Sequence, residues 1–145
     1  MKAKALAVKA ALGTALAVAA VLAPQADAAT VKTTTASCTG GTFTGNVSLK
    51  YQTEGGRHVP ISATMASGPY IGDSNQLTLS IYYLDDGVTI NVHRHTLRGL
   101  IPARVTYPIP DNVTTPDSAK SYISATFASG IGSGGTLCTA KAEIK

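Results

Sequence analysis

The sequence predicts an all-β protein that folds as an antiparallel β-sandwich of about eight strands. After residue 28, apolar and polar residues alternate with a period of two, which is the pattern of strands with one buried face. Glycine, proline, aspartate and asparagine cluster between these runs, as they do in the turns of all-β domains. No helical periodicity longer than a turn or two accompanies them.

The first predicted hairpin turns at EGGR, between two alternating runs. The run NVSLKYQT places Val47, Leu49 and Tyr51 on one face. In the run HVPISATM, four residues are expected to share a face, namely Val59, Ile61, Ala63 and Met65. Pro60 lacks an N–H for the ladder, so it restricts this second strand to a sheet edge or a bulge.

The second predicted hairpin turns at Asp86-Gly87, a pair typical of tight two-residue turns. A regular ladder from this turn collects the large apolar residues on the inner face, in the pairs Tyr83–Ile90, Ile81–Val92 and Leu79–Arg94. His93 and His95 are then expected on the outer face, beside Ser80 and Thr78.

Four further strands are predicted from the runs VKTTTAS, PARVTYPI, SYISATFA and TLCTAKAEI. Together with the two hairpins they bring the number of strands to about eight. Eight strands in a domain of this length give it immunoglobulin-like proportions, which is a prediction of architecture and not of function.

Residues 1–28 have the three-part pattern of a cleaved secretory signal peptide. Lysines come first, an apolar run ends at Leu22, and the small-residue site Ala26-Asp27-Ala28 follows. The apolar run is too short to cross a bilayer, which takes roughly 20 residues. We therefore expect a single domain, residues 29–145, that is secreted to the extracellular space, cell surface or periplasm. Because the leader is rich in alanine, we expect a bacterial protein.

Charge argues against a nucleic-acid partner. The chain has a net charge of +4, but the predicted leader contributes three lysines and one aspartate, which leaves nine basic against seven acidic residues. These charges are scattered along the sequence, with no basic run and no alternation of basic and aromatic residues. We expect a protein or surface-glycan partner, and no stable membrane insertion of the mature chain.

Cys38 and Cys138, one near each end of the predicted domain, are expected to form a disulfide. Nothing beside either cysteine would lower its pKa and make it a reactive thiol. The bond would connect the first and last strands and close a loop of about 100 residues, which the chain-entropy model rates at roughly 4–5 kcal/mol.

His93 and His95 are candidate metal ligands, because alternate residues of a strand lie on one side of it about 6.5–7 Å apart. Two imidazoles are half of a tetrahedral zinc site, so a further ligand is needed. The candidates are His58, Asp73, Asp85 and Glu54. The alternative is a pair of solvated polar residues.

Two groups of residues are candidate binding sites. The proline-rich segment 106–118 is stiff and presents Tyr107 and Ile109, which suits a recognition loop or the substrate-like loop of a protease inhibitor. The alternative is that its prolines end strands and protect an edge. Tyr82 and Asn91 are expected to form a polar-aromatic patch with His93.

The sequence thus predicts a secreted, non-catalytic binding or surface-interaction domain with no cofactor. The alternatives are a metal-dependent hydrolase that uses His93 and His95, a protease inhibitor that uses the loop 106–118, and a structural subunit that associates through its sheet edges.

Overall fold

The computed structural model describes residues 29–69, 75–130 and 135–145, and the predicted signal peptide lies outside them. This part of the chain contains nine strands and no helix, so the all-β prediction is confirmed. The strands are β1 (Lys32–Gly40), β2 (Phe43–Glu54), β3 (Arg57–Gly68), β4 (Asn75–Asp85), β5 (Val88–Gly99), β6 (Arg104–Pro108), β7 (Thr115–Pro116), β8 (Lys120–Ala128) and β9 (Leu137–Ile144).

The strands form two antiparallel sheets. Sheet A has the order β1-β2-β3-β6, and the two-residue strand β7 also pairs with β3. Sheet B has the order β5-β4-β8-β9. The edge strands are therefore β1 and β6 in the first sheet, and β5 and β9 in the second.

The inner faces of both sheets contribute to one hydrophobic core, in a β-sandwich-like arrangement. From sheet A come Val47, Leu49 and Met65, each at most 2% exposed, and from sheet B come Ile81 and Ile123, both fully buried. Burial alternates along β2 and β8. The period-two pattern of the sequence is the cause, since it places every second side chain against the other sheet.

The first hairpin contains a bulge that corrects the predicted face of β3. Lys50 pairs with Ser62 but Tyr51 pairs with Pro60, so Ile61 is an extra residue. Ile61 is consequently 39% exposed and does not share the buried face of Ala63 and Met65. A bulge was one of the two positions expected for Pro60.

Cys38 of β1 and Cys138 of β9 form the predicted disulfide, with their Cα atoms 5.7 Å apart. These strands belong to different sheets, so the bond joins the sheets along one side. Beside it, the Phe127 ring lies so close to Gly45 that a Cβ on that glycine would be 2.3 Å from a ring carbon. The glycine therefore allows the aromatic ring to fill the space next to the disulfide.

The second hairpin has the predicted turn. Asp85 pairs with Val88, which leaves Asp86-Gly87 as a two-residue loop. Both loop residues have positive φ, 46° at Asp86 and 83° at Gly87, as a type I′ turn requires. Tyr83 pairs with Ile90, also as predicted.

Beyond the turn, the predicted register of this hairpin is wrong. Tyr82 pairs with Asn91 but Ile81 pairs with His93, so Val92 is an extra residue that forms a bulge. The predicted pairs Ile81–Val92 and Leu79–Arg94 are replaced by Ile81–His93 and Leu79–His95. Because successive side chains point to opposite faces, one inserted residue reverses the faces of the rest of β5.

Candidate functional site

His93 and His95 lie on the inner face of sheet B, and not on the outer face beside Ser80 and Thr78 as predicted. Both rings stack on Tyr107 of β6, with centroids 5.7 Å from it for His93 and 4.0 Å for His95. Strands β5 and β6 are edge strands of different sheets. The three rings, which we call the ring stack, therefore fill the space between the sheets on the side opposite the disulfide.

The environment of His93 favours the neutral imidazole. Burial lowers the pKa of His93, and the neighbouring His95 lowers it further. The Nε2 atom of His93 is buried and has no hydrogen-bond partner among the described residues. A protonated ring would place an unsatisfied N–H there, which is costly in a protein interior.

The metal hypothesis gains no further ligand from the described residues. His58 is 4% exposed and lies on β3, where its Nδ1 is 3.0 Å from the Thr53 hydroxyl and its ring packs edge-on against Tyr51. No group of three or more histidine, cysteine or acidic side chains suited to a metal occurs in the described part of the chain. Asp73 lies outside that part. Metal binding by His93 and His95 remains a prediction.

The segment 106–118 is partly strand and partly anchored loop. Tyr107 belongs to β6, and Ile109 is 5% exposed in the core. Val113, likewise 5% exposed, holds the other end of the loop. Ile109 is thus closed to a partner in this conformation, and Tyr107 contributes one ring to the ring stack. Between the two anchors, Asp111 and Asn112 form the exposed tip.

The outer face of sheet B carries an aromatic cluster that contains one predicted binding residue. Tyr82 of β4 stacks on Tyr122 of β8, with ring centroids 5.5 Å apart and planes inclined by 30°. Lys141 of β9 holds its Nζ 4.0 Å from the centroid of the Tyr122 ring and 5.6 Å from that of Tyr82. Asn91 of β5, the second predicted residue, is exposed and pairs with Tyr82. His93, which was predicted in the same patch, lies on the inner face instead, and Tyr122 and Lys141 complete the cluster.

A row of polar side chains runs beside the aromatic cluster across all four strands. The ladder pairs Arg94 with Ser80, Ser80 with Ser124, and Ser124 with Lys141. Arg94 and Lys141 are exposed at the two ends, and the serines are half-buried between them. Three steps of about 4.8 Å separate the end strands, so the two cations stand about 14 Å apart at the backbone.

The fold separates charges that are mixed in the sequence. Four cations project from the outer face of sheet B, namely Arg94, Arg98, Lys120 and Lys141. None of them forms an ion pair with a described residue. The one carboxylate on that face, Glu143, is 3.5 Å from the Nζ of Lys145. All other described carboxylates lie at strand ends or in connections, namely Glu54, Asp85, Asp86, Asp111 and Asp117.

Sheet A has a different outer face. It carries a shallow depression of about 260 Å³ whose lining includes Thr35, Asn46, Thr64 and Arg104. Short hydroxylated side chains predominate, and no aromatic residue takes part. The two outer faces therefore differ in chemistry, and the aromatic-basic one belongs to sheet B.

Sequence reasoning missed Arg94, Tyr122 and Lys141 because each belongs to a different strand. One signal was available for Arg94. The regular register predicted for the second hairpin turned Arg94 and Arg98 inward, whereas unpaired arginines are almost never fully buried. That conflict indicated a bulge before Arg94.

Comparison with known proteins gave no relative: no family model matches the chain, and no curated protein or solved structure matches it. Among the described residues, no helix has the length and apolar character needed to cross a membrane.

Proposed function

We propose that the protein is an exported, non-catalytic binding domain that contacts an extended glycan through the outer face of sheet B. The observation that carries this proposal is the cluster of Tyr82, Tyr122 and Lys141 on an otherwise polar sheet face. Aromatic rings supply apolar contact to a sugar, and tyrosine adds a hydroxyl at the rim. The amide of Asn91 and the hydroxyls of Ser80 and Ser124 surround the cluster with hydrogen-bonding groups.

The arrangement of the site favours binding with little reorganisation. The two tyrosines lie on neighbouring central strands and are half-buried, and the Lys141 ammonium rests on their rings. Groups that are already ordered lose less conformational entropy when a ligand binds. The Cys38–Cys138 disulfide supports the exported location, since such bonds persist in oxidising compartments.

The proposal is tested by retention of the purified protein on immobilised polysaccharides, with Tyr82→Ala/Tyr122→Ala as the variant. We expect the wild-type protein to be retained by at least one polysaccharide, and the variant to bind about tenfold more weakly because both rings are lost. Tyr82→Phe/Tyr122→Phe keeps the stacked rings and serves as the matched control, which should retain most of the affinity.

Circular dichroism and thermal unfolding establish that each variant is folded. Retention that is equal for the wild-type protein and the alanine variant would show that the outer face of sheet B is not the contact surface. Absence of retention on every polysaccharide would remove the glycan assignment.

A further inference from the structure

We infer that the ligand of the outer face of sheet B is a polyanionic polysaccharide, whose carboxylate or sulfate groups are bound by Arg94 and Lys141 while its sugar rings contact Tyr82 and Tyr122. This inference rests on the proposed function and adds the charge class of the ligand. It derives from the distribution of charge over the folded molecule, because the same charges are scattered along the sequence.

Positive and negative charges are unbalanced on this face. Four basic side chains project from it, and its single carboxylate belongs to Glu143 of β9, which pairs with Tyr122 and lies 3.5 Å from the Nζ of Lys145. Elsewhere the described carboxylates are kept to strand ends and connections. A surface with unpaired positive charge attracts a polyanion and disfavours a cationic partner, because like charges brought together cost free energy.

Two of the cations lie in a row beside the aromatic rings. Arg94 and Lys141 end the row that passes through Ser80 and Ser124, directly beside the row of Tyr82 and Tyr122. The tyrosine row itself ends at Asn91 on β5 and at Glu143 on β9, so a chain of sugars that lies along the tyrosines contacts the two cations from the neighbouring row. The backbones of Arg94 and Lys141 are about 14 Å apart, so separate charged groups of one polymer can contact both residues.

The aromatic and hydroxyl groups of the face favour a polysaccharide among polyanions. The rings of Tyr82 and Tyr122 stack on each other on the two strands that lie between those of the cations, and the hydroxyls of Ser80 and Ser124 lie in the neighbouring row. The face extends across four strands, which suits an extended polymer. A sulfated and a carboxylated polysaccharide share the chemistry that the site recognises, namely anionic groups on a chain of sugar rings.

The experiment measures the affinity of the purified protein for heparin, polygalacturonate, neutral dextran and single-stranded DNA, by biolayer interferometry over a series of salt concentrations. We expect binding to heparin or polygalacturonate, with weaker or undetectable binding to dextran, and an affinity that falls as salt screens the charges. Tighter binding of heparin than of polygalacturonate would show that sulfate groups add to the affinity, because only heparin carries them, whereas equal binding would show that carboxylates suffice.

The variants Arg94→Ala and Lys141→Ala should each weaken polyanion binding by up to about fivefold, as expected for exposed charge pairs. Lys50→Ala removes a cation from the outer face of sheet A, where Lys50 pairs with Ser62, and is the matched control that should leave binding unchanged. Arg94→Lys/Lys141→Arg retains both charges and should recover most of the affinity.

Several outcomes would overturn the inference. Dextran binding as tight as polyanion binding, insensitive to salt but lost in Tyr82→Ala/Tyr122→Ala, would refute the charge class while leaving the proposed function intact. Equal losses of polyanion affinity in Lys50→Ala and Arg94→Ala would show that the polyanion is attracted by positive charge anywhere on the protein and not by this face. Tighter binding of single-stranded DNA than of either polyanion would assign the face to nucleic acid instead. Polyanion binding unaffected by both sheet B variants would contradict the inference and the proposed surface together.

Discussion

His93 packs between the two sheets, although the sequence predicted it on the outer, solvent-facing side of sheet B. Its ring stacks on Tyr107, its Nε2 atom is buried without a partner among the described residues, and burial lowers its pKa. As a histidine it was a candidate metal ligand, whereas its position indicates packing between the two sheets. Its lowered pKa makes folding stability depend on pH.

We predict that the protein loses stability as the pH falls below about 6.5, and that His93→Gln reduces this loss. A histidine in the unfolded chain takes up a proton near its ordinary pKa of 6.5, but His93 in the folded chain takes one up only at lower pH. The unfolded state therefore binds more protons over that interval, so stability rises with pH and is lost on acidification. Urea unfolding at pH 8 and pH 5 measures the effect.

His58 is the matched comparison for this prediction. Burial lowers its pKa as well, against an opposing effect of Asp117, so His58→Gln should also flatten the pH dependence. A His93→Gln variant with the same pH dependence as the wild-type protein would contradict the prediction, whatever its stability at pH 8.

At the same scale, the sequence predicted the positions of two residues of the candidate site. Tyr82 and Asn91 lie together on the outer face as predicted, because they precede the bulge and their register follows from the tight turn. Tyr122 and Lys141 were not predicted, since each is brought to Tyr82 by a strand pairing distant in sequence. Local periodicity carries no information about which strands become neighbours.

The bulge in β5 is the element that decides the chemistry of both faces of sheet B. The extra residue Val92 turns His93 and His95 toward the core and Arg94 toward solvent. In a regular ladder the faces would be exchanged, with Arg94 and Arg98 directed inward. The same residue therefore produces the ring stack on one side of the strand and the cations on the other.

Deletion of Val92 is expected to destabilise the protein by several kcal/mol or to prevent folding. Without the extra residue, a regular ladder would direct two arginines toward the core, and an unpaired buried charge carries a large desolvation cost. Val92→Ala keeps the bulge and removes only methyl groups, so we expect a cost of about 1 kcal/mol. Urea unfolding followed by tyrosine fluorescence suits this comparison, because the chain has no tryptophan. Equal stability of the two variants would show that the bulge is dispensable.

On the scale of the whole molecule, the two sides of the sheet pair are closed by different means. A disulfide joins β1 to β9 on one side, and the ring stack fills the space between β5 and β6 on the other. The covalent connection links residues 100 positions apart. Its main effect falls on the unfolded chain, which it prevents from expanding fully.

Replacement of both cysteines by alanine, Cys38→Ala/Cys138→Ala, should lower the free energy of unfolding by about 2–5 kcal/mol. The loop that the bond closes is long, so its loss releases much conformational entropy in the unfolded state. Chemical denaturation of the variant, compared with the wild-type protein in the presence and absence of a reductant, measures the change. A variant within about 1 kcal/mol of the oxidised wild-type protein would contradict this account.

The sequence was sufficient for the features that depend on neighbours along the chain or on composition. Alternation predicted an all-β chain, Asp86-Gly87 predicted a tight turn, and two cysteines after a predicted signal peptide predicted a disulfide. The strands and the turn follow from steric preferences of a few neighbouring residues. The disulfide follows because two cysteines can form only one intramolecular pair.

The faces of β5 beyond Val92, the neighbours of Tyr82 and the gathering of four cations on one sheet depended on the folded molecule. One bulge reverses every later side chain of a strand, and strand order is set by the total packing of a shared core. Charges scattered over the sequence become a patch only when β5, β8 and β9 lie in one sheet. The physical reason is that register and pairing are collective properties of the whole chain, which no local window of sequence contains.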